Sequence, residues 1–521
     1  IVASDCAMPD SPENNFCTTN GVMRANITKS EGNLKMVGVG GNYDNLGATF
    51  AVDAADSEGW YWEYRSIGND ESTVIGFADP QNAQFNQSDP SGSFTNDGDG
   101  KGYMGNGNSG SAASYGNSWT GGDIIGIAVK SGAVYFYKNG TIQASGAAAY
   151  SSITGLITPA FGINGTHSGT ANFGQDSSFA GTETAQGNTD GNGIGDFYYA
   201  PPSGYKALCS ANLPEVTIGP NSTTQATDYF NTVLYTGNAT GSTGITGVGF
   251  QPDWVWIKNR ATTNSHALFD SSRGSGSNGF YRLATNLTTE EQDATNVASL
   301  DTDGFTLGSN AGTNGNGNAL VGWNWKANGG TATASGSESG NTLAYSAQVN
   351  TTAGFSIVTY TGNGADSADV TVNHGLGITP RMVIVKNRTD ANRWQVYHED
   401  LSADGSYTKK NILLNDTAAE SGYSSQIKSV SSSAFVVRDV DSDGNANVNK
   451  NNSNYVAYCF AEVEGYSKIG SYISNNTSDG TFIYLGFRPA WVMFKAADQA
   501  NAWSIQDTVR QTVNPSNALL S

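Results

Sequence analysis

The sequence predicts an all-β chain of antiparallel sandwiches in series. Three observations predict it. Glycine supplies 65 of the 521 residues and proline 13, roughly twice and half the usual shares. Short apolar runs alternate with Gly/Asn/Ser/Thr turns, the pattern of strands joined by tight connections. A Pro-to-Lys strand also recurs three times in the second half of the chain. Charge narrows the function classes. Lys plus Arg is 26 against 46 for Asp plus Glu, a net charge of −20. Nucleic-acid binding needs a basic footprint, and no Lys/Arg run occurs. No stretch of 18 apolar residues exists, so membrane insertion by a helix is not expected. Aromatic residues make up 11% of the chain, too many for a disordered one.

Residues 1–45 read as a lead-in with turns at Pro9-Asp10-Ser11-Pro12 and Gly38-Val39-Gly40-Gly41. Residues 46–200 carry short strands: Trp60-Tyr61-Trp62-Glu63-Tyr64, Val74-Ile75-Gly76-Phe77, Ile124 to Val129 and Ala133 to Lys138. The last ends at Asn139-Gly140, a hairpin signal because both residues tolerate positive φ. Residues 86–118 are Gly/Asn/Ser-rich and read as long surface loops. Residues 201–214 read as a linker.

From residue 215 the chain repeats. Gly249-Phe250-Gln251-Pro252-Asp253-Trp254-Val255-Trp256-Ile257-Lys258 is matched by Gly377 to Lys386 and by Gly486 to Lys495. Each Lys lies six residues past its Pro. Fourteen past each Pro stands a ring: His266, Trp394 and Trp503. Similar strands lead in at Val233 to Asn238, Ile357 to Asn363 and Ile469 to Asn475. Val321-Gly322-Trp323-Asn324-Trp325 closes the first copy, as Val456-Ala457-Tyr458-Cys459-Phe460 closes the second. The expected organisation is two complete sandwiches at 215–335 and 336–465 and a partial one at 466–521. Ile1 at the first position, and a third copy with no closing strand before Ser521, suggest a segment of a longer chain or a processed product.

Gly59-Trp60-Tyr61-Trp62-Glu63-Tyr64, Ile75-Gly76-Phe77-Ala78, Gly122 to Ile127, Val134 to Gly140, Pro159-Ala160-Phe161-Gly162 and Ala171-Asn172-Phe173-Gly174 resemble a SPRY domain in order and spacing. The resemblance implies a concanavalin-like sandwich of two antiparallel sheets, with ligand loops at one rim, that binds peptides or glycans. The repeats behind it are similar to tandem units of marine bacteriophage tail-fibre and virion-appendage proteins. So are the lead-in Asp10 to Thr18 and the connector Tyr199 to Cys209. This implies a structural and adhesive virion component contacting the host surface, assembled in the host cytoplasm. Its implied partners are its own copies in a homotrimer, other virion proteins, and a host glycan or protein. The alternatives are a polysaccharide-degrading enzyme in the same appendage and a bacterial adhesin or surface-layer protein.

Candidate sites are few. Tyr103, Tyr115 and Trp119 lie on or beside the glycine-rich loops, where function sits on rigid sandwiches. They are the candidate ligand-binding residues. Asp439-Val440-Asp441-Ser442-Asp443-Gly444 has the start of an EF-hand loop, so Asp439, Asp441 and Asp443 are candidate calcium ligands. Lys450 stands where the bidentate acid belongs, which favours an acidic β-turn. Asp190 to Asp196 is a weaker loop of this kind. Trp254 and Trp256 share one strand face, with Val255 and Ile257 on the other, which favours core packing. Lys258, Lys386 and Lys495 then read as strand ends in water. Glu290-Glu291 reads as a solvated turn, and His398-Glu399-Asp400 as a turn rather than an acid–base cluster. No G-x-S-x-G, H-E-x-x-H or C-x-x-C motif is present, so no catalytic residue is assigned. Cys6 and Cys17 could bridge across a short N-terminal loop, but the four cysteines read rather as free, mostly buried thiols of a reducing compartment.

Overall fold

A computed structural model describes residues 14–20, 27–67, 73–78, 80, 102–105, 115–117, 119–213, 216–219, 222–405, 408–422, 426–439, 447–474, 481 and 483–512. The chain divides into two units: Ile1–Pro214 with Tyr472–Gly486, and Glu215–Ser471 with Phe487–Ser521. Both are built of antiparallel sheets, the expected all-β class.

The first unit is a two-sheet sandwich. One sheet runs in the order Ile27–Ser30, Lys35–Gly38, Ser168–Asn172, Gly59–Ile67, Ile124–Lys130, Ala133–Lys138, Thr141–Ile142. The other runs Gly40–Gly47, Leu156–Gly165, Thr73–Ala78, Gly102–Gly105. Strand periodicity sends Trp60, Trp62 and Tyr64 to one face. There they pack with Ile125, Ile127 and Phe136 against Ile75, Phe77 and Phe161. Asn139 and Gly140 take φ of 49° and 74° and join two paired strands, the hairpin expected from the sequence. Two boundaries differ from expectation. The lead-in supplies three strands to the sheets. The 201–214 linker contains Tyr205–Ala207, which pairs in parallel with Gly59–Ile67. Short strands that fill a lane at a sheet end are hard to read from composition.

In the second unit, Phe230–Thr236, Ala319–Trp325, Trp254–Asn259, Ala267–Asp270 and Leu283–Ala284 form one sheet in that order. Phe355–Thr361, Asn454–Phe460, Met382–Asn387, Gln395–His398 and Ile412–Leu413 follow the same order in a second. The registers match: Trp254 lies opposite Trp325 and Asp270, and Met382 opposite Phe460 and His398. The third Pro-to-Lys strand, Trp491–Phe494, pairs with Ser504–Asp507, with Trp491 opposite Asp507. The preceding segment Ile469–Asn475, expected as a strand, forms none over its described residues 469–474.

Each five-strand array buries both faces. One face of the first packs Val255, Ile257 and Phe269 on Val297, Phe305 and Leu307 of a three-stranded sheet. Its other face does not close a separate sandwich. Trp254, Trp256, Leu268 and Trp323 join Ile357, Ile384, Trp394 and Tyr458 of the second array and Ile505 of the third hairpin in a single core. A buried aromatic side chain removes 150–250 Å² from water, worth roughly 4–6 kcal/mol at about 25 cal/mol per Å² before entropy is charged. A hydrogen bond adds about 1 kcal/mol. Ring burial therefore supplies the cohesion, and polar contacts fix the register.

Those polar contacts cross between copies. Trp394 Nε1 donates to Ala284 O and Leu287 O at 3.1 Å, and Trp503 Nε1 donates to Leu413 O at 2.8 Å. Tyr458 Oη donates to Asp270 Oδ2 at 2.6 Å, and Trp323 Nε1 to Asp507 Oδ2 at 3.0 Å. Both carboxylates also pair with an arginine three residues on, Arg273 and Arg510. The second copy thus donates to the first, the third to the second and the first to the third, which closes a cycle. Tyr458→Phe removes a charge-assisted bond from a buried carboxylate. It is expected to lower the unfolding free energy of this unit by about 1–3 kcal/mol, read from the urea midpoint at unchanged m-value.

Candidate binding site

The structure redistributes the sequence-derived candidates. Trp119 is a core residue, not a rim residue: it is 2% exposed and its ring meets Tyr64 edge-on at 6.3 Å. A large ring beside glycines gains more from burial than from solvent. Tyr115 is half-buried. Its ring packs on Phe136 and its hydroxyl donates to Ala147 O at 2.7 Å. Tyr103 lies in strand Gly102–Gly105, opposite Gly76, but its side chain lies outside the described residues, as does most of the 86–118 loop region. Asp439 ends strand Ala434–Arg438 buried, its Oδ2 accepting from Asn449 N at 3.2 Å. Asp441 and Asp443 lie outside the described residues. Among the described residues no group of three His, Cys, Asp or Glu is placed to hold a metal.

A site not foreseen from the sequence lies on the outer face of the eight-stranded sheet. Register places Tyr61, Ala128 and Tyr135 in one row, and Glu63, Gly126 and Tyr137 in the next. Tyr205 stands opposite Gly59 and Ala207 opposite Tyr61. Small residues between the rings let them lean together. A Cβ at Gly126 would meet Tyr61 Oη at 2.4 Å, so the tyrosine ring occupies that space. Tyr61 is buried under Phe197, at 5.4 Å between ring centres, while Tyr135, Tyr137 and Tyr205 remain half-exposed. Burial, reinforced by Tyr137 and Tyr135, pushes the Tyr205 hydroxyl up to about 12. Lys130 lies 5.9 Å from the Tyr205 ring centre, and Lys206 pairs with Glu58 at 2.5 Å. The result is a partly apolar face bearing hydroxyls. Such a face suits a sugar or peptide by stacking plus hydrogen bonding.

Two buried carboxylates hold this face. Glu63 accepts from the Tyr198 and Tyr199 amides, from Asn172 Nδ2 and from Tyr61 Oη. It clasps the 188–199 segment to the sheet. Burial pushes its carboxyl up from 4.5 to about 7, against the pull of the backbone amides, Asn172 and Tyr61. Asp190, read as part of a weak calcium loop, spends its oxygens within the protein. Oδ1 accepts from the Asn192 and Ile194 amides, and Oδ2 from the Ala207 amide and Asn212 Nδ2. It is a loop clasp.

Other expectations change in the second unit. Trp254 and Trp256 are core residues, as their two-sided strand implies. Lys258 and Lys386 are not in water, and Lys495 is half-buried. Lys386 is wholly buried and donates to Thr288 O, Asn387 O and Asp390 O; burial lowers it to about 7. Lys258 and Lys495 bond the carbonyls of their own loops. Glu291 is not in a solvated turn. It bridges Arg273 at 2.7 Å and Arg388 at 2.9 Å, tying the first copy to the second. His398 Nδ1 accepts from Asp400 N, and Glu399 accepts from Tyr397 Oη, so this cluster forms turn contacts. Cys17, Cys209 and Cys459 are free and buried; Cys6 lies outside the described residues.

Comparison with known proteins gives two family matches. The SPRY domain model matches residues 59–176. The model described as "Domain of unknown function (DUF7483)" matches residues 225–521. Similar solved structures include the SPRY domain of human HERC1, 13% identical, covering 31% of this chain and 95% of that one at a TM-score of 0.21. The TRIM65 PSpry domain is 15% identical, covering 30% and 92%, and a human SPRY domain is 19% identical, covering 28% and 94%, both at 0.21. No curated protein matches the chain.

Two outcomes are expected. A carboxyl raised on folding contributes stability that is full below its unfolded pKa of 4.5 and is lost as pH climbs to about 7. The parent's advantage over Glu63→Gln should therefore shrink by roughly 1–3 kcal/mol between these pH values, measured by urea unfolding. Excess chelator should leave the thermal melt unchanged if Asp439, Asp441 and Asp443 form a turn; a drop in Tm would instead mark a calcium site.

Proposed function

The chain belongs to the family described as a domain of unknown function (DUF7483), and we propose that it is a structural and adhesive component of a bacteriophage virion. The role is a tail fibre or similar appendage that contacts the host surface. The resemblance of the repeats, lead-in and connector to virion-appendage proteins supports this reading. The observation that carries it is the cross-tied core of the second unit. Three Pro-to-Lys strands feed one apolar interior, and rings from each copy donate to the next. Pulling out one copy must expose rings from all three, which suits a load-bearing appendage.

The binding role goes to the SPRY unit. Its tyrosine face would meet a host glycan or protein. The remaining partners are other virion proteins and further copies of the chain in a homotrimer, because exposed sheet edges favour closed symmetric association. The net charge of −20 disfavours nucleic acid. Among the described residues no helix is long and apolar enough to cross a membrane.

Purified protein is expected to bind host cells or their surface glycans and to release no reducing ends. Sustained release, abolished by changing one Asp or Glu, would overturn the adhesive reading in favour of a depolymerase. Tyr135→Ala combined with Tyr137→Ala should weaken cell binding by about tenfold or more without shifting the melt of the second unit. Light scattering should return three times the chain mass; a monomer mass would contradict the trimer.

A further inference from the structure

The tyrosine face of the first unit is rich in donors and poor in acceptors. Among the described residues the hydroxyls of Tyr135, Tyr137, Tyr199 and Tyr205 bond to no protein group. Buried Tyr61, by contrast, donates to Glu63, and half-buried Tyr115 to Ala147 O. Glu63 spends both oxygens on the Tyr198 and Tyr199 amides and on Asn172. The strands Gly59–Ile67, Ile124–Lys130, Ala133–Lys138 and Tyr205–Ala207 carry four cations, Arg65, Lys130, Lys138 and Lys206. Three are matched: Arg65 by Glu183 at 2.7 Å, Lys138 by Asp123 at 3.0 Å and Lys206 by Glu58 at 2.5 Å. Lys130 has no carboxylate partner of its own among the described residues. It donates to Gly204 O at 3.4 Å and lies 5.9 Å from the Tyr205 ring centre. Its charge also acts on Glu58, but Lys206 already holds that group.

Register sets the distances. Lys130 lies opposite Ala133, on the same face as Ala128 and Gly126. Tyr135 is its diagonal neighbour on the next strand, roughly 7–8 Å away. Tyr137 follows on the same face, opposite Ile142, which is 37% exposed. We propose that this face binds an acidic polysaccharide, with a pyranose stacked on Tyr135 and its carboxylate or sulfate accepting from Lys130 Nζ. The inference rests on the adhesive reading and names the class of glycan. A peptide backbone alternates acceptors with donors, and its donors would find only phenol oxygens here. A neutral sugar would leave Lys130 unmatched. The chain's net charge of −20 repels a polyanion at long range, so selection for an acid comes from these local contacts.

Titration calorimetry of the intact chain tests this with three oligomers of equal length: a galacturonate, its methyl ester and a sulfated galactan. At least one acid should bind about tenfold or more tighter than the neutral ester. Lys130→Gln should abolish that preference and Lys130→Arg should retain it. Tyr135→Ala combined with Tyr137→Ala should weaken acid and ester alike. Tighter binding of the galacturonate assigns a carboxylate to the site, and tighter binding of the galactan assigns a sulfate. The inference is overturned if neither acid outbinds the ester, if Lys130→Gln keeps the preference, or if no oligomer binds. Host-cell binding that persists in those cases would leave the adhesive reading standing; its absence in the parent protein would sink that reading as well.

Discussion

The second unit depends on one constraint: a strand that is apolar on both faces must be covered on both. Trp254–Asn259 satisfies it with a three-stranded sheet on one side and the other copies on the other. Met382–Asn387 does the same. The copies therefore cannot be separate beads. Each removes the solvent-facing side of the next, and the size of the rings makes this burial far larger than any polar contact.

Polar groups at the centre then decide which copy meets which. An apolar interior alone tolerates sliding and exchange, since dispersion and the hydrophobic effect are nondirectional. The Tyr458–Asp270 and Trp323–Asp507 bonds, each backed by an arginine, are directional. They compensate the buried carboxylates of Asp270 and Asp507, which would be costly to bury alone. The first unit uses the same device, with Glu63 and Asp190 clasping segments over its outer sheet face.

Much of the fold was legible in the sequence because strands write a period of two and turns write glycine and asparagine. The hairpin at Asn139-Gly140 and the three Pro-to-Lys strands follow from those signals. What the sequence did not reveal was the occupant of each face. The alternation of Trp254, Val255, Trp256 and Ile257 says that both sides are covered but not by what, so the two complete sandwiches and the partial third were expected without the core that the copies share between them. Trp119 misled because its neighbours are turn residues, while its own bulk decided its place. The lysines misled because a strand-end cation looks solvated; loop carbonyls around Lys386 were invisible in one dimension. The tyrosine face had a signal that went unused: Tyr135 and Tyr137 alternate with core residues Val134 and Phe136 and share a face with Glu63.

The shared core is tested most directly by native-state hydrogen exchange on the intact chain across a guanidinium series. Amides of Trp254–Asn259 and Met382–Asn387 should merge into one cooperative opening, with one free energy and one denaturant slope. Two separate openings, each with the slope of a sandwich of its own, would contradict it.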